Sequence, residues 1–168
     1  MNENLKIRRL KGEDVSDVLC IINEAARAYK KVLPSNVYRE TQMTLQEFLE
    51  EARRIKFYLV EDEGNIIGIM GYEYVKDVAL IRHAYIKLEY QRRGVGSRLL
   101  QHLEALIESE NKTGRLIVGT YTNAYWAVNF YRKHGYDPVS NHDATLRKYY
   151  FIPDVQRENS TALEKRIR

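Results

Sequence analysis

The segment EYQRRGVGSRLL, residues 89–100, places two glycines among three arginines directly before an apolar helical pattern. Gly94 and Gly96 allow the backbone to approach a ligand closely. Backbone N–H groups at the start of a helix bind anions, and the arginines add positive charge. The residue types and their spacing therefore predict a site for an anion such as a phosphate group.

Two common phosphate-binding motifs do not fit this segment. A P-loop needs a lysine followed by serine or threonine directly after its second glycine, and no such lysine is present. A dinucleotide-binding loop needs a third glycine where Leu99 stands, and it follows the first strand of its fold, whereas this segment follows the fourth predicted strand. The pattern that remains is Gln-x-x-Gly-x-Gly, formed by Gln91, Gly94 and Gly96.

The rest of the chain predicts strands and helices that would position this turn. Alternating and continuous apolar runs predict strands at residues 5–10, 56–62, 66–75, 78–88, 115–121 and 160–167. Apolar residues at helical spacing predict helices at residues 13–29, 44–54, 95–107 and 125–133. The segment TLRKYYFIP, residues 145–153, is ambiguous. We expect one α/β domain over residues 1–168, with an antiparallel meander followed by a strand–helix–strand crossover.

Several local signals mark where these elements begin, end or approach one another. Thr44 is expected to cap the second helix, with Glu47 as its capping-box partner. Gly135 stands where the last helix should end. Gly68 and Gly71 in the third strand indicate a bulge or the close approach of a neighbouring backbone.

Two segments together resemble a known family. A strand, then Gln-x-x-Gly-x-Gly, then an amphipathic helix resembles the acetyl-coenzyme A signature of the GCN5-related N-acetyltransferase (GNAT) family. The segment AVNFYRKHGYDPV resembles the family's A-x-x-F/L-Y-x-x-x-G-F/Y stretch, matched at Ala127, Phe130, Tyr131, Gly135 and Tyr136. The resemblance implies an α/β (α+β) fold with a mixed central sheet of six to seven strands flanked by about four helices. It also implies a splayed pair of parallel strands at residues 78–88 and 115–121.

The resemblance implies acetyl-CoA as the co-substrate and no metal. The pyrophosphate would be bound by the turn and the helix start after it, at Gln91, Arg92, Arg93, Gly94, Val95, Gly96 and Ser97. Backbone N–H groups near Tyr85 and Ile86 would bind the pantetheine arm and polarise the thioester carbonyl. The family often has asparagine at the position of Ala124, and here Asn123, one place earlier, is expected to contact the coenzyme.

Acetyl transfer to an amine benefits from an acid for the leaving thiolate. Tyr131 matches the family tyrosine that protonates the coenzyme A thiolate. A phenol of pKa about 10 beside a thiolate of pKa about 8.5 is a modest acid for that step. The alternative is that Tyr131 only packs at the rim of the core.

The reaction also needs a base, because a lysine-like ammonium has a pKa of about 10.4 and is not nucleophilic while charged. Glu73 and His83 are the candidates, with a water chain as the third possibility. Each has a structural alternative, since Glu73 could be solvated and His83 could be a satisfied strand histidine. Strand alternation predicts that Arg82 lies on the opposite face from His83.

The acceptor is expected near the loop at residues 31–43 and the chain after Phe151, where the acidic residues are Asp154, Glu158 and Glu164. The segments WAVNFYRKHGY and NSTALEK faintly resemble the polyamine-acetylating branch of the family. A small amine such as a polyamine is therefore the first expectation, and a protein N-terminus or lysine is the next. The aromatic residues of TYTNAYW, residues 120–126, either form a wall for the acceptor or pack in the core.

The composition limits the remaining classes. The net charge is +4 and the pI is about 9.1, too small and scattered an excess for a nucleic-acid-binding surface. The single cysteine, Cys20, excludes an intrachain disulfide. The first residues lack the apolar core of a signal peptide, and no apolar run approaches the roughly 20 residues of a membrane span. We expect a cytoplasmic enzyme that binds neither nucleic acid nor membrane, with a non-catalytic acetyl-CoA sensor as the alternative. Homodimers are common in the family, and the sequence leaves the oligomeric state open.

Overall fold

A mixed β-sheet forms the centre of the computed structural model, which describes residues 4–167. Within those residues the seven strands are β1 (Leu5–Arg9), β2 (Lys56–Asp62), β3 (Asn65–Val75), β4 (Val78–Ile86), β5 (Arg115–Tyr121), β6 (Asp137–Pro138) and β7 (Ser160–Arg166). Their order in the sheet is β1-β2-β3-β4-β5-β7-β6. β4 and β5 are parallel, whereas β1 with β2, β2 with β3, and β7 with both β5 and β6 are antiparallel.

Six α-helices accompany the sheet in the described part of the chain. They are α1 (Val15–Ala25), α2 (Leu45–Glu51), α3 (Val95–Glu110), α4 (Tyr125–Lys133), α5 (His142–Tyr149) and α6 (Asp154–Glu158). Short 3-10 helices occupy Gly12–Asp14, Ala26–Lys31 and Leu88–Tyr90. Across residues 4–167, no helix has both the length and the apolar character needed to cross a membrane.

The sequence predicted most of these elements, and the differences lie at their ends. β2, β5 and α4 have the predicted bounds. The first predicted helix is an α-helix only in its middle, because 3-10 turns replace its two ends. α2 stops at Glu51 since the next residues form 3-10-type bonds, such as Arg54 N–H to the Glu51 carbonyl at 3.1 Å. β4 likewise ends at Ile86, before the 3-10 turn that enters the glycine segment.

α5, α6 and β6 were not predicted. α5 begins before the ambiguous segment, where the Asn141 side chain accepts a hydrogen bond from the Ala144 N–H at 3.1 Å. Its buried residues, Leu146 and Tyr149, are few, so the apolar periodicity is weak. α6 and β6 are short, with five and two residues.

The predicted helix-end signals are confirmed. The Thr44 hydroxyl accepts from the Glu47 N–H at 3.2 Å, and the Glu47 carboxylate accepts from the Thr44 N–H at 3.0 Å. Gly135 has a φ of +90° directly after α4, and its N–H bonds to the Arg132 carbonyl at 3.1 Å. Both ends therefore form by the local rules that the sequence indicates.

The chain divides into two compact units. Among the described residues, the first comprises 4–27, 39–73 and 82–106, and the second comprises 28–38, 74–81 and 107–167. In the first unit Phe48 of α2 stacks on Phe57 of β2, with ring centroids 4.9 Å apart. Glycine is required at Gly71, because a Cβ there would lie 2.5 Å from Ile55.

In the second unit a core cluster joins strands β4, β5 and β7 with α5. Its buried members are Val78, Leu80, Ile117, Leu146, Tyr149 and Ala162. The parallel register of β4 and β5 pairs Ala79 with Leu116, Leu80 with Ile117, and Ile81 with Val118. β4 itself continues to Ile86 and β5 to Tyr121, so the paired residues are only part of each strand.

Candidate active site

The glycine segment forms an exposed turn that leads into the longest helix of the described chain. Arg92 and Gly94 both have left-handed backbone, with φ of +62° and +80°. A Cβ added at Gly94 would meet no atom within 4 Å, so the space above the turn is open. Val95 starts α3 with a buried side chain and anchors the turn. Because the first N–H groups of a helix lack partners within the helix, this arrangement fits a pyrophosphate group.

The side chain of Gln91 has a positioning role in this structure. Its Nε2 donates to the Ile86 carbonyl at 3.0 Å, which ties the turn to the end of β4. Tyr85 is buried and Ile86 half-buried. Both lie against β3, where a Cβ at Gly68 would be 2.6 Å from Ile86. The nearest backbone atom to that Cβ is the Tyr85 carbonyl oxygen at 3.4 Å, and β2 shifts register next to Val60, the partner of Gly68, so the predicted backbone approach and bulge are both present.

Tyr131 lies on α4 in the second unit and is 5% exposed. Its ring makes edge contacts with Phe130 and Tyr136, with centroids 5.1 and 5.6 Å away. Among residues 4–167, no protein group forms a hydrogen bond with its hydroxyl. Burial raises the pKa of the Tyr131 phenol, and the phenols of Tyr29 and Tyr150 act in the same direction. Tyr131 is therefore protonated at neutral pH and is a weaker acid than a solvated tyrosine.

An aromatic patch, defined as Tyr29, Tyr121, Tyr125 and Trp126, lies in the same unit. Tyr29 contacts Tyr121 edge-on at 4.9 Å and stacks on Trp126 at 6.0 Å. Tyr125 meets Trp126 at 5.2 Å and is 64% exposed, while Trp126 is 36% exposed. The patch therefore presents aromatic surface to solvent.

Asn123 holds the loop at residues 31–43. Its Nδ2 donates to the Val32 carbonyl at 3.3 Å. Leu33 and Val37 of the same loop are buried in one cluster with Ala124. These contacts give Asn123 a structural function in addition to the predicted contact with the coenzyme.

The predicted base Glu73 is buried in ion pairs and is not solvated. It is 6% exposed, and its Oε1 accepts from Arg54 Nε at 3.2 Å. Its Oε2 accepts from Arg82 at 2.7 Å. Both carboxylate oxygens therefore have cationic partners.

The other predicted base, His83, lies beside a glutamate that the sequence did not single out. Its Nε2 is 2.7 Å from Oε2 of Glu51, on α2. Both atoms are buried and lack a well-aligned hydrogen bond in residues 4–167. Arg82 also reaches Glu51, at 3.1 Å, so the alternation that placed Arg82 and His83 on opposite faces is wrong. The cause is the backbone of His83, whose φ of +53° interrupts the strand.

The pKa shifts of this pair follow from its burial and neighbours. Burial lowers the pKa of His83, and Arg82 lowers it further, while Glu51 opposes the shift without outweighing it. Burial acts to raise the pKa of Glu51, but His83 and the nearby cations leave it below its usual value. At neutral pH the pair is therefore a neutral imidazole beside a carboxylate. The sequence signal for Glu51 is a charged residue three places after the buried Phe48, on the inner side of α2.

The acidic residues proposed for the acceptor are mostly engaged elsewhere. Asp154 pairs with Arg157 at 2.6 Å, and Glu164 pairs with Arg115. Glu158 is exposed at the end of α6. No group of three or more histidine, cysteine, aspartate or glutamate side chains in the described residues could hold a metal ion.

Comparison with protein families identifies the class of this chain. The family model described as acetyltransferase (GNAT) domain matches residues 53–138, just over half of the 168-residue chain. The match includes the glycine turn, Glu73, His83 and Tyr131. The chain belongs to the GNAT family and is an acetyl-CoA-dependent N-acetyltransferase.

Solved structures share the fold over nearly the whole chain. The PaiA N-acetyltransferase of Thermoplasma acidophilum, solved in complex with coenzyme A, has a TM-score of 0.79 and 16% identity, covering 99% of both chains. A GNAT-family acetyltransferase of Staphylococcus aureus has a TM-score of 0.77 and 15% identity, covering 98% of this chain and 99% of its own. The ribosomal-protein-S18-alanine N-acetyltransferase of Escherichia coli has a TM-score of 0.71 and 19% identity, covering 97% and 94%. No curated protein sequence matches the chain significantly.

Proposed function

We propose that this protein transfers the acetyl group of acetyl-CoA directly to a primary amine, and that its preferred acceptor is a small amine such as a polyamine. The observation that carries the direct transfer is the state of Tyr131. It is a buried phenol without a protein hydrogen-bond partner in residues 4–167, and burial keeps it protonated. The hydroxyl can give its proton to a departing coenzyme A thiolate without breaking a hydrogen bond to the protein, although burial makes it a weaker acid than a solvated phenol.

The coenzyme would be held mainly by backbone groups. In this proposal the turn from Gln91 to Gly94 and the start of α3, through Ser97, bind the pyrophosphate. The open space at Gly94 and the exposed turn support this role. Arg92 and Arg93 add positive charge, and backbone groups of Tyr85 and Ile86 bind the pantetheine arm. The thioester supplies the acetyl group, while these residues orient it.

The base is proposed to be His83 in preference to Glu73. A base must have a free lone pair near neutral pH. Both oxygens of Glu73 accept from arginines, whereas burial keeps the imidazole of His83 neutral. His83 would take one proton from the ammonium group, so that the neutral amine attacks the thioester carbon. The C–N bond then forms and the C–S bond breaks, and Tyr131 gives its proton to the departing sulfur. The nitrogen of the new amide gives its second proton to the Tyr131 oxygen, which restores the phenol.

The preference for a small polyamine is supported by the aromatic patch. Ammonium groups bind the faces of tryptophan and tyrosine rings, and methylene groups pack against them. Tyr125 and Trp126 present such surfaces. The acidic residues Asp154 and Glu164 are already paired with arginines, which leaves the aromatic rings as the better site for an ammonium group. A peptide N-terminus is the second candidate acceptor, because the S18-alanine N-acetyltransferase shares the fold.

The acceptor is tested by measuring thiol release and acetylated product for a panel of amines. The panel contains spermidine, putrescine, lysine, and peptides with a free N-terminal alanine or a single lysine. We expect the highest kcat/KM for spermidine. A higher kcat/KM for the alanine peptide would replace the small-amine proposal with N-terminal acetylation. Binding of acetyl-CoA without any product would favour a sensor.

A further inference from the structure

We propose that Glu51 and His83 form a dyad in which Glu51 fixes the imidazole so that Nδ1 is the proton-accepting atom. This inference rests on the proposed acetyl transfer and concerns its base. It assigns a positioning role to Glu51, a residue outside the family-model match.

The contact between the two side chains determines the tautomer. Nε2 of His83 and Oε2 of Glu51 are 2.7 Å apart and buried. A carboxylate only accepts hydrogen bonds, so Nε2 must carry the proton in the neutral imidazole. The lone pair is then on Nδ1.

The backbone of His83 gives independent support. Five residues other than glycine have positive φ in the described chain, and four of them lie in turns. His83 is the one inside a strand. A left-handed residue there is strained, and such strain concentrates at functional sites. Here it lets His83 and Arg82 reach the same carboxylate.

The groups around the imidazole are balanced in charge. Glu51 approaches from α2, Arg54 lies just after that helix, Glu73 comes from β3, and Arg82 comes from β4. Phe57 of β2 covers the ring at 6.0 Å. Glu51 and Glu73 each pair with both arginines, and Glu51 is the carboxylate that also contacts His83 directly. In the proposed step, one proton moves from the ammonium nitrogen to Nδ1, and no other bond changes.

The tautomer is measured by nitrogen NMR of the full chain with labelled histidine. The chain has four histidines, and the His83 signals are assigned by their loss in His83→Asn. Asparagine is chosen because it tolerates left-handed backbone. The dyad predicts a neutral Nε2–H tautomer at about pH 7.5. A neutral Nδ1–H tautomer would overturn the dyad, whichever acceptor the enzyme uses.

Kinetics separate a positioning role from a structural one. For Glu51→Gln we expect kcat to fall about tenfold and the acidic limb of kcat to move to lower pH, because the anion that supports protonated His83 is gone. The acceptor KM should change less than about twofold. The matched control is Glu50→Gln, an exposed neighbour on α2 that should match wild type. If Glu51→Gln changes neither kcat nor the acidic limb of its pH profile, the positioning role of Glu51 is overturned.

The two proposals fail in different ways. If the wild-type protein acetylates no amine, the proposed function is overturned, while the tautomer measurement still decides the dyad. If Glu51→Gln does not fold, His83→Asn provides the kinetic test. It should lower kcat about a hundredfold with acetyl-CoA affinity unchanged. Wild-type kcat in His83→Asn would overturn the base.

Discussion

The surroundings of His83 and of Tyr131 differ in kind. His83 lies among two glutamates and two arginines, whereas Tyr131 lies among aromatic rings. Burial nevertheless has one effect in both places, since it favours the uncharged form of each side chain. It lowers the pKa of the imidazole and raises that of the phenol. At neutral pH the imidazole is therefore uncharged and the phenol protonated, and each shift also makes its group a weaker base or a weaker acid than in water.

The largest effect is expected from a change at Tyr131, the residue that lies among aromatic rings. Tyr131→Phe should lower kcat about a hundredfold, because the ring remains and only the proton donor is lost. Steady-state kinetics and acetyl-CoA titration would show a lower kcat with nearly unchanged affinity. The control is Tyr136→Phe, which removes a hydroxyl from the neighbouring ring at 5.6 Å. Equal kcat in Tyr131→Phe and wild type would leave Tyr131 as a packing residue.

The next largest effect tests whether the glycine turn, and not the surroundings of His83 or Tyr131, binds the coenzyme. Gly94 has a φ of +80°, which costs an alanine about 1–2 kcal/mol. Gly94→Ala should therefore weaken acetyl-CoA binding about tenfold in a calorimetric titration, with little change of kcat at saturation. Gly12→Ala is the control, since a Cβ also meets open space there without a positive φ. Equal weakening in both variants would contradict this role of the turn.

A smaller effect is expected from the aromatic patch. Trp126→Ala should raise the KM for spermidine about fivefold, because an exposed cation–π contact contributes about 0.5–1 kcal/mol. The KM for acetyl-CoA should not change. The control is Leu45→Ala, which removes an exposed apolar side chain on α2 and should leave the KM values for spermidine and acetyl-CoA at their wild-type values. A spermidine KM unaffected by Trp126→Ala would remove the patch from the acceptor site.

The smallest effect concerns the free energy of unfolding and its dependence on the protonation of His83. The folded-state pKa of His83 lies below its usual value of 6.5, so the unfolded chain binds the proton first as the pH falls. The free energy of unfolding should therefore decrease as the pH falls below about 6.5. Urea denaturation at about pH 7.5 and about pH 5.5 would show a smaller decrease for His83→Asn. An equal decrease in both proteins would mean that His83 is not buried in the neutral form.

The sequence predicted features that depend on local backbone chemistry. The glycine turn, the Thr44–Glu47 capping box and the left-handed Gly135 each involve residues close together in the chain. Of the charged residues around His83, the sequence analysis singled out Glu73 but not Glu51, because Glu51 and His83 are distant in sequence. Their contact also depends on the positive φ of His83, which strand alternation does not anticipate. The phenol of Tyr150 near Tyr131 is likewise a tertiary arrangement, and it follows a helix with few apolar residues.

Direct acetyl transfer is tested by mass spectrometry of the protein and its products after incubation with acetyl-CoA and spermidine. Direct transfer between a neutral base and a neutral acid predicts equal amounts of free coenzyme A and acetylspermidine. The mass of the protein should stay unchanged, with or without the amine. An acetyl group retained on the protein, or thiol release without acetylated amine, would contradict the account.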